Sequence, residues 1–394
     1  MNSINQIIAI TLMNLRNLPM RIGASLVIVV GIAGVVAVLV AILSMASGFE
    51  ATLKNSGSPD RVIVLRGGSS TEMSSSLSRE HGNLITSKPG VKNSDSGPLA
   101  AKETYVIADI RKRANNSEAN MPMRGIDARS FEIRDEFKIV AGRNIEFGRF
   151  ELIAGVKAAD QFQGIDLGQE LNIRGASWMV VGLFETDGSI YESEVWVDNV
   201  VLRQNLKRST GSSSLFVKLE AAQDYDMFEQ ALADDPQLET NIIRETTYYS
   251  AQSTSTTALI TNFGYGVGII MAIGAIFAAL NTMYSAVSTR SVEIATLRAL
   301  GFGSTPVVIS VMVEALTLAL IGGLLGASIA YGLFNGYTAS TWGDTFSQVS
   351  FDFAVTPELL TRGIVWSCML GMVGGLFPSI TAARQPITTA LRGM

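Results

Sequence analysis

The sequence predicts an α-helical membrane domain of four transmembrane helices, with a large α+β extracytoplasmic domain inserted between helices 1 and 2. Three observations carry this reading. Charged residues are missing from 22–48, 246–289 and 363–383, and between 301 and 342 only Glu314 is charged. Each window holds an apolar run of about 20 residues or more, enough to cross a bilayer. Roughly 210 residues of ordinary soluble composition separate the first run from the second. The short connections also differ in sign. Arg16 and Arg21 precede the first run, Arg290 and Arg298 follow the second, and Arg384 and Arg392 follow the last, whereas the remaining short loop carries Asp344, Asp352 and Glu358. Positive loops stay in the cytoplasm, so both termini are inside and the large domain is outside.

The elements follow in order. In 1–21, Ile4, Ile7, Ile8, Leu12 and Leu15 recur at helical spacing, with Asn5, Asn14 and Arg16 on other faces. This predicts a cytoplasmic amphipathic helix lying in the interface, broken from the next by Pro19. Transmembrane helix 1 covers 22–46. Its run of about 25 residues exceeds a signal-peptide core of about 7–15, so it is read as retained. The outer domain covers 47–258, and its edges, 47–55 and 246–257, are expected to extend the helices outward as stalk segments. Transmembrane helix 2 follows at 259–288, a cytoplasmic loop at 289–305, helix 3 at 306–334, a short outer loop at 335–361, helix 4 at 362–383 and a cytoplasmic tail at 384–394.

Within the outer domain, 61–66, 105–110 and 150–155 alternate or run β-branched, as strands do. Residues 170–174 and 178–184 flank a turn at Gly175 and Ala176 and read as a hairpin. Residues 195–197 add a strand. A strand at 214–219, a helix at 222–233 and a strand at 238–244 form a β-α-β unit, which predicts an α+β domain in two subdomains. The Ser- and Gly-rich stretch 67–78 reads as a mobile loop or lid.

Composition removes several function classes. The net charge of −5 gives no basis for nucleic-acid binding. The one cysteine, Cys368, rules out an intrachain disulfide, and the one histidine, His81, in a polar stretch, reads as a surface loop residue. There is no G-x-x-x-x-G-K-[ST] phosphate loop, no G-x-S-x-G, no H-E-x-x-H and no Cys/His cluster, so the chain carries neither a P-loop nor a recognisable catalytic or metal motif. The spans hold no row of charges and no chain of buried acids, which separates them from proton pumps, ion-coupled carriers and voltage sensors.

Glu314 is the exception. A carboxylate near mid-helix costs roughly 2.5–3.5 kcal/mol on insertion scales, so it needs a partner. Asn281, at similar depth on helix 2, is the expected hydrogen-bond partner. Small residues recur at four-residue spacing: Gly264 and Gly268, Gly322 and Gly326, Gly371 and Gly375. This spacing lets helix backbones approach closely.

The segment 290–301, RSVEIATLRALG, closely resembles the coupling-helix motif of FtsX/MacB-type ABC transporter permeases, R-x-x-E-I-G-x-L-R-A-L-G in outline, with Ala295 in place of the usual glycine. Glu314, Gly322, Gly323 and Gly326 are similar to that family's third span. Gly375, Pro378, Ala382, Ala383, Pro386, Leu391 and Arg392 resemble its closing pattern, with Gln385 where an acid is common. In the outer domain, 141–143, 151–155, Leu167, Gly168 and 180–182 resemble the MacB-type periplasmic core, so the likeness covers nearly the whole chain.

The resemblance implies a permease without its own nucleotide site, bearing no cofactor, and set in a bacterial inner membrane with its large domain periplasmic. Arg290, Glu293, Ile294, Leu297, Arg298, Leu300 and Gly301 would dock on a separate cytoplasmic ABC ATPase that holds ATP and Mg, through an apolar face of Ile294, Leu297 and Leu300. Two permease copies would pair, as a homodimer or related heterodimer. A periplasmic membrane-fusion adaptor and an outer-membrane duct are implied further partners, along with membrane lipid. The implied work is mechanotransmission, for export of a lipid, peptide or drug-like substrate. A lipoprotein-releasing LolC-like permease and an FtsX-like regulator of a cell-wall hydrolase are the alternatives.

Overall fold

The computed structural model describes residues 3–17, 22–207, 211–342 and 348–386. The expected break at Pro19, Arg21, the acid Asp344 and the closing residues Leu391 and Arg392 lie outside them. The helices, in chain order, are α1 Ser3–Asn17, α2 Ile22–Lys54, α3 Arg79–Thr86, α4 Ala128–Ile133, α5 Val156–Gln161, α6 Asn199–Asn205, α7 Tyr225–Ala233, α8 Glu245–Thr289, α9 Ser291–Ala299, α10 Ser304–Phe334 and α11 Pro357–Arg384. The chain divides into two units, one of Met1–Ser47, Ala258–Tyr337 and Phe353–Met394, the other of Gly48–Thr257 and Thr338–Asp352.

In the first unit, α2, α8, α10 and α11 are each long and apolar enough to cross a membrane. The start of α11 is fixed locally: the Thr356 hydroxyl accepts from the Leu359 amide, and Pro357 occupies the first turn, where its missing N–H costs nothing. Ile32, Val36 and Val40 of α2 pack with Val311, Ala315 and Ala319 of α10 and with Met283 and Val287 of α8. Glycines set the spacing. A Cβ on Gly326 would stand 2.4 Å from the Ala33 carbonyl oxygen, and one on Gly322 2.8 Å from that of Val29, so both hold α10 against α2. Gly371 and Gly375 do the same between α11 and α10, facing Ala319 and Ala315, while Gly264 and Gly268 set α8 against Ile42 and Leu39. The small-residue repeats are therefore packing devices within one chain.

Helix α1 departs from the expected facing. Asn14 is buried, donating to the Ser310 hydroxyl of α10, and Ile10 one turn earlier is buried with it. Ile4, Ile8 and Leu12 remain exposed. The polar residue turns inward because α10 offers it a hydroxyl, which leaves the apolar stripe free for a lipid interface.

The second unit holds the strands: β1 Arg61–Arg66, β2 Asn93–Ser94, β3 Gly97–Pro98, β4 Ala100–Arg111, β5 Glu118–Ile126, β6 Lys138–Gly142, β7 Glu151–Gly155, β8 Glu170–Ile173, β9 Ala176–Glu185, β10 Val195–Asp198, β11 Ser214–Lys218, β12 Thr240–Arg244, β13 Thr338–Trp342 and β14 Gln348–Asp352. One mixed sheet runs β12-β1-β11-β4-β5-β10-β7-β9-β6, with β8 added on β9. The long strand β4 belongs to both ends of it, pairing with β11 through Ala100–Glu103 and with β5 through Thr104–Arg111. Two apolar cores result. One gathers Val62, Val64, Val217, Phe228 and Leu232; the other gathers Met121, Leu152, Phe162, Trp178 and Val197. The subdomains are thus two cores on one continuous sheet. β11, α7 and β12 form a split β-α-β unit, because β1 lies between the two strands and runs antiparallel to both.

Three expectations change in this unit. The turn of the β8–β9 hairpin falls on Arg174 and Gly175, at φ 52° and 79°, the two left-handed residues a tight twisted hairpin requires. His81 sits in α3, half-buried, with its amide capped by Ser78. The stretch 67–78 is anchored: Glu72 and Leu77 are buried, the Glu72 amide donates to Tyr248, and Leu77 bridges to Ser212. Its small polar residues bond one another, the Ser69 hydroxyl donating to the Ser74 carbonyl and the Ser74 hydroxyl to that of Thr71. The outer loop 335–361 also does more than connect. Its β13–β14 hairpin is part of the second unit, with Phe351 against Phe49, Ser350 bonded to Ser193, and Gln348 accepting from Lys112.

Candidate functional site: a coupling helix held at both ends

Helix α9 joins α8 to α10. Glu293 sits in its first turn and Arg298 in its last, each on the end of the helix dipole that suits its charge. Beyond its C-cap, Leu300, the Gly301 amide donates to the Arg298 carbonyl and the Phe302 amide to that of Leu297. This paired closure needs a left-handed residue, and Gly301 supplies it at φ 95°. The Leu-Gly ending of the motif is therefore a helix stop, and it aims Leu300 outward.

Two arginines fix the helix. The Arg290 guanidinium donates to the Glu314 carboxylate of α10 at 2.9 Å, with both residues buried. Arg298 donates to the Gln385 carbonyl at the end of α11 at 2.6 Å. The expected Asn281–Glu314 bond is not made. Asn281 lies about 200° around α8 from the inward-facing Ala279 and Met283, and is exposed. A cation also serves a buried carboxylate better than a neutral amide does. The long side chain of Arg290 reaches Glu314 from the start of α9, although the two residues are 24 apart in sequence.

Ile294 and Ala295 are buried, Ile294 in the core shared by α8 and α10. Of the expected Ile294–Leu297–Leu300 face, Ile294 thus packs within its own chain. Leu297 is half-buried against a cavity of about 20 Å³ that Ile10, Asn14, Arg290 and Glu314 also line. That volume suits a single water, and the Nε and Nη2 of Arg290, which find no acceptor among the described residues, are donors for it. The outer strip consists of Glu293, Thr296, Ala299 and Leu300, with Leu300 73% exposed.

A second constellation in the outer unit ties the segment leaving α2 to the start of α8. Arg61 donates to Glu245, the first residue of α8, and forks onto Glu136. Tyr191 and the Ser58 amide also donate to Glu245. Beside it, each of the five N–H donors of Arg124 is used, on Glu72, Glu103 and Glu194. Arg134 forks onto Glu103 and lies over the rings of Phe216 and Tyr191. Burial pushes the Glu103 carboxyl up, but Arg134 and Arg124 outweigh it and hold it below the usual carboxylate range. Sequence reading missed this network, since its members are scattered over 58–245 and share no local motif. Among the described residues no three His, Cys, Asp or Glu side chains are grouped to hold a metal ion.

Four membrane-length helices, a short helix joining the second of them to the third and a large α+β unit have the build of a permease. The chain belongs to the ABC transporter permeases of this build: the MacB-like periplasmic core domain model matches residues 24–235, and the FtsX-like permease C-terminal model matches 265–387. Both matched regions are permease parts. An uncharacterized ABC transporter permease of Methanocaldococcus jannaschii is 23% identical over 277 residues, covering 66% of this chain and 68% of its own. The macrolide export ATP-binding/permease protein MacB of Campylobacter fetus is 23% identical over 390 residues, 93% of this chain but only 57% of that protein. The chain therefore spans little more than half the length of that relative. Among solved structures, the periplasmic region of MacB from Actinobacillus actinomycetemcomitans overlays on 51% of this chain and 96% of its own, with a TM-score of 0.37 at 11% identity.

Proposed function

We propose that this chain is the permease subunit of an ATP-driven, MacB-type transporter. It couples ATP hydrolysis in the cytoplasm to a change of shape in the periplasm, and that mechanotransmission exports a lipid, peptide or drug-like substrate. A separate ABC ATPase holds ATP and Mg. Two permease copies pair, and a membrane-fusion adaptor with an outer-membrane duct completes the path. The four long helices lie in a bacterial inner membrane with both termini cytoplasmic, and the large unit, carried in the chain between the first and second, is periplasmic.

The observation that carries this reading is the double fastening of α9. A force on the outer strip of α9 passes through Arg290 into α10 and through Arg298 into the end of α11. Glu293, Thr296 and Leu300 are left for the ATPase, and covering a leucine as exposed as Leu300 contributes about 1.5–3 kcal/mol to a docked complex. In the outer unit, the Arg61–Glu245 clamp holds the ends of the two helices that bracket it, so their displacement reaches the sheet together.

Co-purification with a candidate ABC ATPase, co-expressed with this chain, tests the proposal. Wild type is expected to bring the ATPase down, and Leu300→Asp or Glu293→Lys to release it while the permease stays folded. Retention of the ATPase by both variants, or ATP hydrolysis by the isolated chain, would overturn the reading.

A further inference from the structure

A cleft of about 520 Å³ opens in the outer unit between the 73–76 loop and a wall of Arg203, Lys207 and 211–213. Arg203 and Lys207 stand on one wall, four residues apart, with Ser76 and Ser212 among the hydroxyls facing them. None of the described residues lining it is acidic. We propose that this cleft binds the phosphate group of an anionic ligand, held by the Arg203 guanidinium, the Lys207 ammonium and the hydroxyls of Ser76 and Ser212.

Four observations support the assignment. Arg203 gives one Nη1 bond to the Gly211 carbonyl at 3.2 Å, yet its Nε is buried with no acceptor among the described residues. Such a donor is unfavourable to leave unmet, and an oxyanion that reached it from the cleft would satisfy it. Second, Lys207, exposed at the rim, makes no ion pair among the described residues and is held in a left-handed conformation at φ 55°. Third, the surroundings are positive beyond the lining itself. Burial and the neighbouring Arg79 hold the Arg203 guanidinium below its usual range, and burial with Arg79 does the same to the Lys102 ammonium. Asp198 offsets the charge at Arg203, and Asp127 that at Lys102, each only in part. Fourth, the Ser76 and Ser212 hydroxyls make no hydrogen bond to the described residues. The Leu77–Ser212 bridge pins both serines in place, and a Cβ on Gly211 would stand 2.9 Å from the Leu77 carbonyl oxygen.

A plainer account is that Arg203 simply closes the C-terminus of α6, where a basic residue is favourable. That explains the Nη1 bond. It explains neither the unmet Nε nor the gathering of like charges, which is unfavourable unless an anion sits among them. A tetrahedral phosphate suits donors arriving from several directions, and the arginine fork matches two of its oxygens. The cleft falls within the about 300–1,000 Å³ range of ligand pockets, and half-exposed Met73 adds an apolar side to it. Both features favour a phosphate carried on a larger molecule, such as a lipid headgroup, over the free ion. The inference does not depend on the coupling reading, because binding needs no ATPase.

The test is calorimetric titration of the purified full chain in neutral detergent with dihexanoyl phosphatidylglycerol, which stays soluble, and with inorganic phosphate. Wild type is expected to bind the lipid, with affinity falling as salt rises. Lys207→Gln, an exposed change, is expected to weaken binding several-fold, and Arg203→Gln with Lys207→Gln at least tenfold, with unchanged near-ultraviolet dichroism. Competition by phosphate only at far higher concentration identifies a carried phosphate. Phosphate binding as tightly as the lipid keeps the site and assigns it to the free ion. Absence of binding by wild type, or equal binding by the double variant, overturns the proposal.

Discussion

The Arg290 guanidinium stands 2.9 Å from the Glu314 carboxylate, joining the first residue of the coupling motif to the interior of α10. Neutralising either partner alone leaves the other buried and unbalanced. Glu314→Gln and Arg290→Gln are each expected to lose about 3–5 kcal/mol of stability. The apolar pair Arg290→Met with Glu314→Leu is expected to recover most of that while transport remains lost. Thermal unfolding of the purified chain, run as a four-way cycle, reads the coupling directly; additive single effects would mean the two residues do not act as a pair.

The buried and exposed sides of α9 separate fold from docking. Ile294→Ala removes a core side chain and is expected to cost about 2–5 kcal/mol. Leu300→Ala is expected to change stability by less than about 0.5 kcal/mol. Unfolding midpoints of the two variants, set beside their ATPase binding, should move in opposite order.

Glycine spacing gives a paired comparison. Gly326→Ala drives a methyl group to 2.4 Å from the Ala33 carbonyl oxygen and is expected to push α10 off α2. Gly274 has nothing within 4 Å of an added methyl, and Gly274→Ala is expected to be neutral or to gain up to about 1 kcal/mol of helix propensity. Equal melting temperatures for the two variants would contradict the close approach of α10 and α2.

The outer unit is expected to lose stability in acid through Glu103. Its folded carboxyl lies below the ordinary 4.5, so the unfolded chain takes up the proton first as pH falls. The stabilisation is complete above about pH 4.5 and declines as pH drops below that value toward the folded pKa. Glu103→Gln removes this part of the acid slope at a cost in stability at neutral pH. Fluorescence of Trp196, whose indole N–H donates to Glu194 at 2.8 Å in the same network, follows unfolding against pH. Identical slopes for wild type and variant would exclude Glu103 as the titrating group.

Sequence patterns recovered what local physics dictates. The β-branched run of 61–66 is strand β1, and β11, α7 and β12 follow the predicted β-α-β order. Strand β5 escaped notice because Pro122 and Gly125 interrupt its apolar residues, and only its place between β4 and β10 makes it a strand. The partner of Glu314 was legible as a need but not as a residue. Helical depth pointed to Asn281, whereas the facing of α8 and the reach of an arginine side chain decided for Arg290. The coupling motif was visible as a string of letters; that Ile294 points inward and Leu300 outward depends on α8 and α10, which a motif does not encode.

The β13–β14 hairpin sets an order of manufacture. Residues 338–352 complete a unit whose other residues end at Thr257, and Ala258–Tyr337, which includes α10, must be synthesised before they exist. Until then Phe49 lacks Phe351, and the side chains of Lys112 and Gln161 lack Gln348. The nascent outer unit thus waits, nearly finished, for a strap that arrives only after two membrane-length helices, α8 and α10, have been completed. A fragment cut at 48–257 is expected to keep its sheet but expose this seam, and to associate through it unless the hairpin is supplied as a peptide.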